Sequence, residues 1–246
     1  VTDLINYWTF AKTLDIGPYP RDQELQFSLS DLDNEEWFDK LPPSEWRKDS
    51  FTYKYNSHGF RSRPFDPTDN PILLTLGCSH TVGVGVPFED TWSEQLGKQF
   101  PDHVVYNAGA GGASADTVAR FAANIIPILN PAKVAILWPN LYRFESYCHG
   151  PNKNNTRYNG PWETDDLRFQ FEDNNIHNNY TKNRLIVDLL QKIYNFQLLD
   201  MDMESVTFKY RKITFTKARD QQHYGPDWHA QISQDFYSIY QGMTTI

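Results

Sequence analysis

From Pro71 onward the chain alternates between short, wholly apolar runs and longer stretches with helical spacing. Residues 72–76 (Ile-Leu-Leu-Thr-Leu), 104–106 (Val-Val-Tyr) and 133–138 (Lys-Val-Ala-Ile-Leu-Trp) read as strands covered on both faces, because they lack the polar alternation of a solvated sheet. Between them, residues 91–100 place Trp92, Leu96 and Phe100 on one helical face. Residues 114–129 give a stronger helix: Ser114 is placed to cap it, Asp116 lies in its first turn, and Val118, Phe121, Ala122, Ile125 and Leu129 form one apolar stripe. Strands alternating with helices predict a parallel sheet wrapped by helices, an α/β fold.

The flanks are less regular. Residues 1–69 are rich in Trp, Asp and Pro (Trp8, Trp37, Trp46, Pro42-Pro43) and read as an N-terminal extension packed on a main domain of residues 70–246. Within it, residues 31–36 open a short helix, residues 51–55 alternate like a strand, and residues 56–59 (Asn-Ser-His-Gly) supply a turn. Residues 142–179, with many Asn and the pairs Gly150-Pro151 and Gly160-Pro161, read as a long loop or hairpin insertion. Helix is expected to resume at 185–196, with Leu185, Leu189, Ile193 and Phe196 turned inward. Residues 206–215 read as β structure, and residues 228–240 as a last helix burying Ile232, Phe236, Ile239 and Tyr240. The stretch between these last helices is short for a full repeat, so the sheet has four or five strands.

A formal net charge of −8 repels phosphate backbones, and no nucleic-acid partner is expected. The densest basic group, Lys209, Arg211, Lys212, Lys217 and Arg219, reads as the solvated face of a strand or hairpin. The only cysteines, Cys78 and Cys148, read as free thiols and exclude a disulfide framework. No apolar run reaches membrane-spanning length and no leader pattern is visible, which leaves the compartment open with a cytoplasmic setting slightly favoured over a secreted one. No group of His, Cys, Asp and Glu has metal-ligand spacing, so neither metal nor cofactor is expected.

The candidate chemistry sits where the strand-like runs end. Gly77-Cys78-Ser79-His80 follows the first run, residues 107–112 (Asn-Ala-Gly-Ala-Gly-Gly) end the second, and Pro139-Asn140 follow the third. In a parallel sheet these positions gather at one edge. Near the C-terminus stands Asp220-Gln221-Gln222-His223. A serine hydroxyl needs a base, so Ser79 is the candidate nucleophile, His223 its base and Asp220 the acid that orients the imidazole. The Ser79 N–H, the Gly112 N–H and the Asn140 amide are candidate donors to an oxyanion. His80, Trp138 and Tyr142 are expected to touch substrate. His229 rivals His223 as base, but Asp227 stands at the wrong spacing from it. Cys78 is a lesser candidate nucleophile, His58 reads as a turn residue, and Arg61 as a structural ion pair rather than an anion site. The glycines at 109, 111 and 112 also suggest a dinucleotide turn, but Ser114 stands where a third spaced glycine is needed and no acid follows about twenty positions later.

Taken together, these blocks resemble the SGNH (GDSL-type) hydrolases. Gly77-Cys78-Ser79 matches that family's Gly-Asp-Ser block, Asn107 to Gly112 its Asn-x-x-x-x-Gly block, Asn140 the Asn of its third block, and Asp220 to His223 its Asp-x-x-His block; His229 fits a further histidine six positions on. The resemblance covers residues 71–140 and 218–240. It implies a flavodoxin-like three-layer α/β/α sandwich and hydrolysis of esters or thioesters, O-acetyl groups on carbohydrate among them. The chain departs from the family at Cys78, at Trp138-Pro139 and at Leu141. The alternative is a non-catalytic carbohydrate-binding or structural protein on the same scaffold, which burial of Trp8, Trp37, Trp46 and Trp162 would disfavour.

Overall fold

The computed structural model describes residues 13–27, 51–148, 155–159 and 173–244. Two short strands come first, β1 (Gln23–Leu25) and β2 (Tyr53–Tyr55), paired antiparallel. The regular alternation then begins: β3 (Ile72–Gly77), a one-turn helix α1 (Ser79–Val82), α2 (Trp92–Gly97), β4 (Val104–Gly109), α3 (Ala115–Leu129) and β5 (Lys133–Trp138). A hairpin follows, β6 (Phe144–Cys148) with β7 (Asn155–Asn159). The chain ends with α4 (Asp173–Tyr194), β8 (Gln197–Asp202), α5 (Met203–Lys209) and α6 (Pro226–Thr244).

Strands β3, β4, β5 and β8 make one parallel sheet in the order β4-β3-β5-β8. Numbered within the sheet, the order is 2-1-3-4, the doubly wound flavodoxin pattern, with helices on both faces. The expectation of an α/β fold with four or five parallel strands is met by four. Successive residues serve opposite faces. Leu74, Leu76, Val134 and Ile136 pack against the stripe Val118, Phe121, Ala122 and Ile125 of α3. Leu73, Ala135 and Leu137 pack against Trp92 and Leu96 of α2 and Ile232 and Phe236 of α6. The central strands β3 and β5 are almost wholly apolar because they are covered on both faces, whereas the edge strand β8 carries Asp200 and Asp202 at half-buried positions. The one polar side chain central to β3, Thr75, is fully buried and shares a 2.9 Å hydrogen bond with Ser93 of α2.

Local signals set the helix starts. Ser114 caps α3 by accepting from the Thr117 N–H, and the Thr117 hydroxyl in turn accepts from the Ser114 N–H. Thr91 does the same one-sidedly for α2 through the Glu94 N–H. Asp202 caps α5 through the Ser205 N–H at 2.7 Å.

Four expectations are corrected. Helix α4 begins at Asp173, twelve residues before the apolar stripe that was expected to start it, and part of the stretch taken for insertion is helical. Its inward face is Ile176, Tyr180, Asn183, Val187, Leu190 and Tyr194, at spacings of three and four, while Leu185, Leu189 and Ile193 are 59%, 57% and 61% exposed. Asn183 is buried because its amide donates to Asp116 of α3 at 2.8 Å. Residues 206–215 are not β structure: the strand is β8, and the Asp202 cap converts the chain to helix α5. Arg219, expected on a solvated face, is 2% exposed. Trp8, Trp37, Trp46, Trp162 and the short helix at 31–36 lie outside the described residues.

Candidate functional site

The C-terminal ends of β3, β4 and β5 stand level, since Gly77 pairs with both Gly109 and Leu137. The three loops that follow therefore leave the sheet side by side, at the point where the strand order reverses. Ser79 opens α1 two residues past β3. Gly112 sits in the turn past β4 with φ +71°, and Asn140 is exposed past β5.

Residue 77 is glycine for lack of room. A Cβ there would lie 2.2 Å from the Thr81 hydroxyl and 2.7 Å from the Leu137 carbonyl oxygen. The chain can thus turn straight from β3 into α1. Asn107 fixes the next strand to that turn. Its amide donates to the Thr81 carbonyl at 2.6 Å and its carbonyl oxygen accepts from the Gly109 N–H at 2.9 Å.

Across this edge the loop of residues 218–223 brings up Asp220 and His223. Ser79 Oγ lies 2.7 Å from His223 Nε2, and His223 Nδ1 lies 2.5 Å from Asp220 Oδ2. The other carboxylate oxygen, Asp220 Oδ1, accepts the N–H groups of Gln222 and His223, each at 3.0 Å. The Asp220 side chain is fully buried and that of His223 is 14% exposed. A carboxylate only accepts, so Nδ1 carries the proton and Nε2 presents its lone pair to the serine hydroxyl. The loop is closed on itself by Gln221 N–H to Ala218 O (2.8 Å) and Ala218 N–H to His223 O (2.9 Å), and Gln221 takes φ +61° at the bend.

Residues not expected at the site from the sequence hold these loops together. The Arg219 N–H donates to the Gly85 carbonyl at 2.9 Å, which ties the acid's loop to the segment after α1. Gly85 has φ +75°, and a Cβ there would meet Ala218 Cβ at 2.8 Å. The buried Tyr53 hydroxyl accepts the Gly85 N–H at 2.7 Å. Arg61, 1% exposed, donates to the carbonyls of Val82, Gly83 and Val86, with its guanidinium 4.2 Å from the Tyr53 ring centroid. Arg61 thus braces three backbone carbonyls of this segment. Arg219 donates to the Gln26 carbonyl at 2.9 Å and stacks 4.0 Å from the Phe51 ring. Tyr19 accepts the Gly111 N–H at 2.7 Å, beside Gly112. These partners lie tens of positions apart, and no local spacing marks them.

The remaining expected residues are spread around this edge. His80 packs edge-on against His223, with ring centroids 5.0 Å apart. Tyr142 is exposed in the turn after β5. Trp138, expected against substrate, is 1% exposed: its indole packs in the core beside Tyr180 and donates to Asp200 Oδ2 at 3.0 Å. His229 is fully buried in α6, where Nδ1 accepts the Trp92 N–H at 3.1 Å, so the structure gives it no place beside Ser79 as a base. Burial, with the charge of His223 next, lowers its pKa to about 3. Burial likewise holds His80 well below the usual histidine range. Cys78 is a free thiol, buried at 1% exposure under α1. The Leu141 N–H, next to Asn140, donates to Glu204 Oε1 at 2.8 Å, and burial raises the pKa of that carboxyl. Among the described residues no group of His, Cys, Asp and Glu could hold a metal ion, and no helix is long and apolar enough to cross a membrane.

No protein-family model matches the chain, and no curated protein matches it. Among solved structures it is similar to a member of the lipolytic protein G-D-S-L family from Veillonella parvula, at 12% identity over 69% of this chain and 98% of that one, with a TM-score of 0.41. It is also similar to TesA, at 13% identity over 68% and 97%, with a TM-score of 0.42. A two-domain esterase active on acetylated mannans matches at 15% identity over 72% of this chain and 50% of that one, with a TM-score of 0.39. The site geometry stands independently of these likenesses.

Proposed function

We propose that the chain is a serine hydrolase that cleaves carboxylic esters. The observation that carries this reading is the unbroken hydrogen-bonded series Ser79 Oγ, His223 Nε2, His223 Nδ1, Asp220 Oδ2 at 2.7 and 2.5 Å. Such a series gives a weakly nucleophilic hydroxyl a base of the right tautomer and gives the resulting imidazolium a buried counter-charge.

In this mechanism Ser79 Oγ bonds to the acyl carbon while its proton passes to His223 Nε2. The carbonyl π pair moves to oxygen. The tetrahedral intermediate collapses, the C–O bond to the alcohol breaks, and His223 returns the proton to the departing oxygen. Water, deprotonated by the same Nε2, then attacks the acyl-serine, and Ser79 leaves with the proton. The developing oxyanion is held by the Ser79 N–H, which opens α1 and so has no acceptor within the helix, by the Gly112 N–H and by the Asn140 amide. Small acyl esters are the class to test first, O-acetyl groups on carbohydrate among them. The exposed Tyr142 is the residue proposed to face substrate.

The test is hydrolysis of p-nitrophenyl acetate and butyrate by the parent chain, Ser79→Ala and His223→Ala, with circular dichroism to confirm folding. Turnover lost in both variants is the expected result. Activity unchanged in Ser79→Ala overturns the proposal. Folded parent protein that neither hydrolyses these esters nor labels at Ser79 with a fluorophosphonate favours the non-catalytic alternative.

A further inference from the structure

We propose that His80 is a positioning residue: a neutral ring wedge, carried on the nucleophile's own helix, that keeps His223 aimed while Ser79 is acylated. The inference rests on the serine-hydrolase reading and adds a division of labour to it.

During the cycle the base loses one of its two restraints. In the free site His223 is held at Nδ1 by Asp220 and at Nε2 by Ser79. Once Ser79 Oγ becomes an ester oxygen, it has no proton to offer Nε2. The imidazole must nonetheless stay in place to activate water. A histidine held at one nitrogen alone can swing about χ1 and χ2, and a displacement on the order of 1 Å costs about 100-fold in rate.

His80 supplies a stop against that swing. Its ring lies edge-on to His223 with centroids 5.0 Å apart and planes 70° from parallel. Behind it are Trp228 at 5.0 Å and Tyr224 at 5.7 Å, themselves stacked on each other at 5.0 Å and 15°. Trp228 is 1% exposed and anchored in α6, so the backing is core and not rim. His80 directly follows Ser79 on α1, so nucleophile and stop move as one body.

The wedge works as a ring and not as a proton carrier. His80 Nδ1 is buried with no hydrogen-bond partner among the described residues. Burial first, then repulsion from His223 and the other basic groups around it, disfavours protonation of His80. A second imidazolium 5.0 Å from His223 would oppose the one the mechanism needs.

The proposal separates two chemical steps. Acylation starts with the Ser79–His223 hydrogen bond intact, whereas deacylation starts without it. Loss of the wedge therefore slows deacylation more than acylation. His80→Ala, assayed by stopped flow with p-nitrophenyl acetate, is expected to show a burst of p-nitrophenol near one equivalent, followed by turnover reduced about 100-fold. His80→Phe, which restores a ring without nitrogens, is expected to bring turnover back to within about fivefold of the parent. A second readout needs no substrate. The proton in the Nδ1–Asp220 bond should give a low-field NMR resonance in the parent and in His80→Phe, lost to exchange in His80→Ala.

Full loss in folded His80→Phe, equal to that of His223→Ala, overturns the proposal, because it makes the nitrogens essential. Equal slowing of both steps in His80→Ala with the resonance intact also overturns it. If the parent neither hydrolyses ester nor labels at Ser79, the hydrolase reading fails, while the resonance still decides whether His80 restrains His223. Should His80→Ala not fold, His80→Ser and His80→Phe carry the same comparison.

Discussion

His229 offers a test of the buried architecture that needs no substrate. It is fully buried, its Nε2 has no hydrogen-bond partner among the described residues, and its Nδ1 accepts the Trp92 N–H. Its pKa is lowered from 6.5 to about 3, chiefly by burial. For a base, a folded-state value below the unfolded one means that the unfolded chain binds more protons between the two. The fold thus bears no penalty from His229 above about pH 6.5, loses stability at about 1.4 kcal/mol per pH unit below it, and carries the whole penalty, about 5 kcal/mol, below about pH 3. Other groups titrate in the same window, His80 in the same direction and Glu94 and Glu204 in the opposite one, so the difference between two proteins is the clean quantity. His229→Asn keeps an acceptor for the Trp92 N–H and removes the titration. The smaller side chain leaves a void, so the variant is expected to be less stable than the parent by about 1–2 kcal/mol at pH 7. By pH 4 the parent has lost about 3.4 kcal/mol through His229 that the variant has not, so the two curves cross near pH 5.5. Urea unfolding of both proteins at pH 7, 6, 5 and 4 measures this. A gap that stays constant over the four values refutes the assignment of His229 as a buried neutral base.

Further outcomes are equally specific. Asp220→Asn is expected to reduce kcat/KM for p-nitrophenyl butyrate by about 10³–10⁴ with KM nearly unchanged, because the amide favours the wrong imidazole tautomer; a loss under tenfold contradicts the assigned role. Ser114→Ala removes one half of the reciprocal cap on α3 and should lower stability by about 1 kcal/mol, read as a shift in the urea midpoint at constant slope. Leu189→Lys, at a position 57% exposed, should change stability by less than about 0.5 kcal/mol, whereas Val187→Lys, fully buried two residues earlier, should abolish folding as judged by near-ultraviolet circular dichroism.

The contrast between residues 187 and 189 shows what sequence pattern can and cannot carry. Three of the four sheet strands were legible because a strand buried on both faces has a single signature, an unbroken apolar run; β8, at the sheet edge and carrying Asp200 and Asp202, has no such run. Helix α3 was legible because its stripe and its cap agree. Helix α4 misled because its most apolar stripe, Leu185, Leu189 and Ile193, faces away from the core, while the true inward face includes Asn183, buried against Asp116. A polar residue satisfied by a partner 67 positions away is indistinguishable, along the chain, from one satisfied by water. Residues 206–215 failed for a local reason: Asp202 followed by Ser205 is a capping pattern, and its bond to the Ser205 N–H starts a helix where β-branched and aromatic residues suggested a strand. At the site, order and spacing singled out Ser79, Asp220 and His223, whose side chains the structure brings together, whereas the Trp138 ring turns into the core, as a residue ending a strand can do as readily as toward the loops.

What spacing could not supply is the set of contacts that makes one edge of the sheet a rigid constellation. Ser79 and Asp220 are 141 positions apart, and the sheet alone does not bring the loop of residues 218–223 to α1. That loop is held through Gly85, whose carbonyl accepts from Arg219 and whose N–H donates to Tyr53. Arg61 gathers three carbonyls of the same segment, and Arg219 reaches back to Gln26. On the other side of the edge, Tyr19 fixes the Gly111 peptide. Residues 13–27 and 51–65 thus touch the loops that carry the proposed nucleophile Ser79, the proposed acid Asp220 and the proposed oxyanion donor Gly112. Each bond individually contributes about 1 kcal/mol, too little to define a fold. Their common effect is geometric: the loops that carry Ser79, His223 and Gly112 are each pinned by backbone groups that accept or donate in one direction only. Catalysis by a hydrogen-bonded series depends on distances held to a few tenths of an ångström. The polar brace beneath the site, more than the apolar core beneath the sheet, is what the N-terminal segment contributes to that precision.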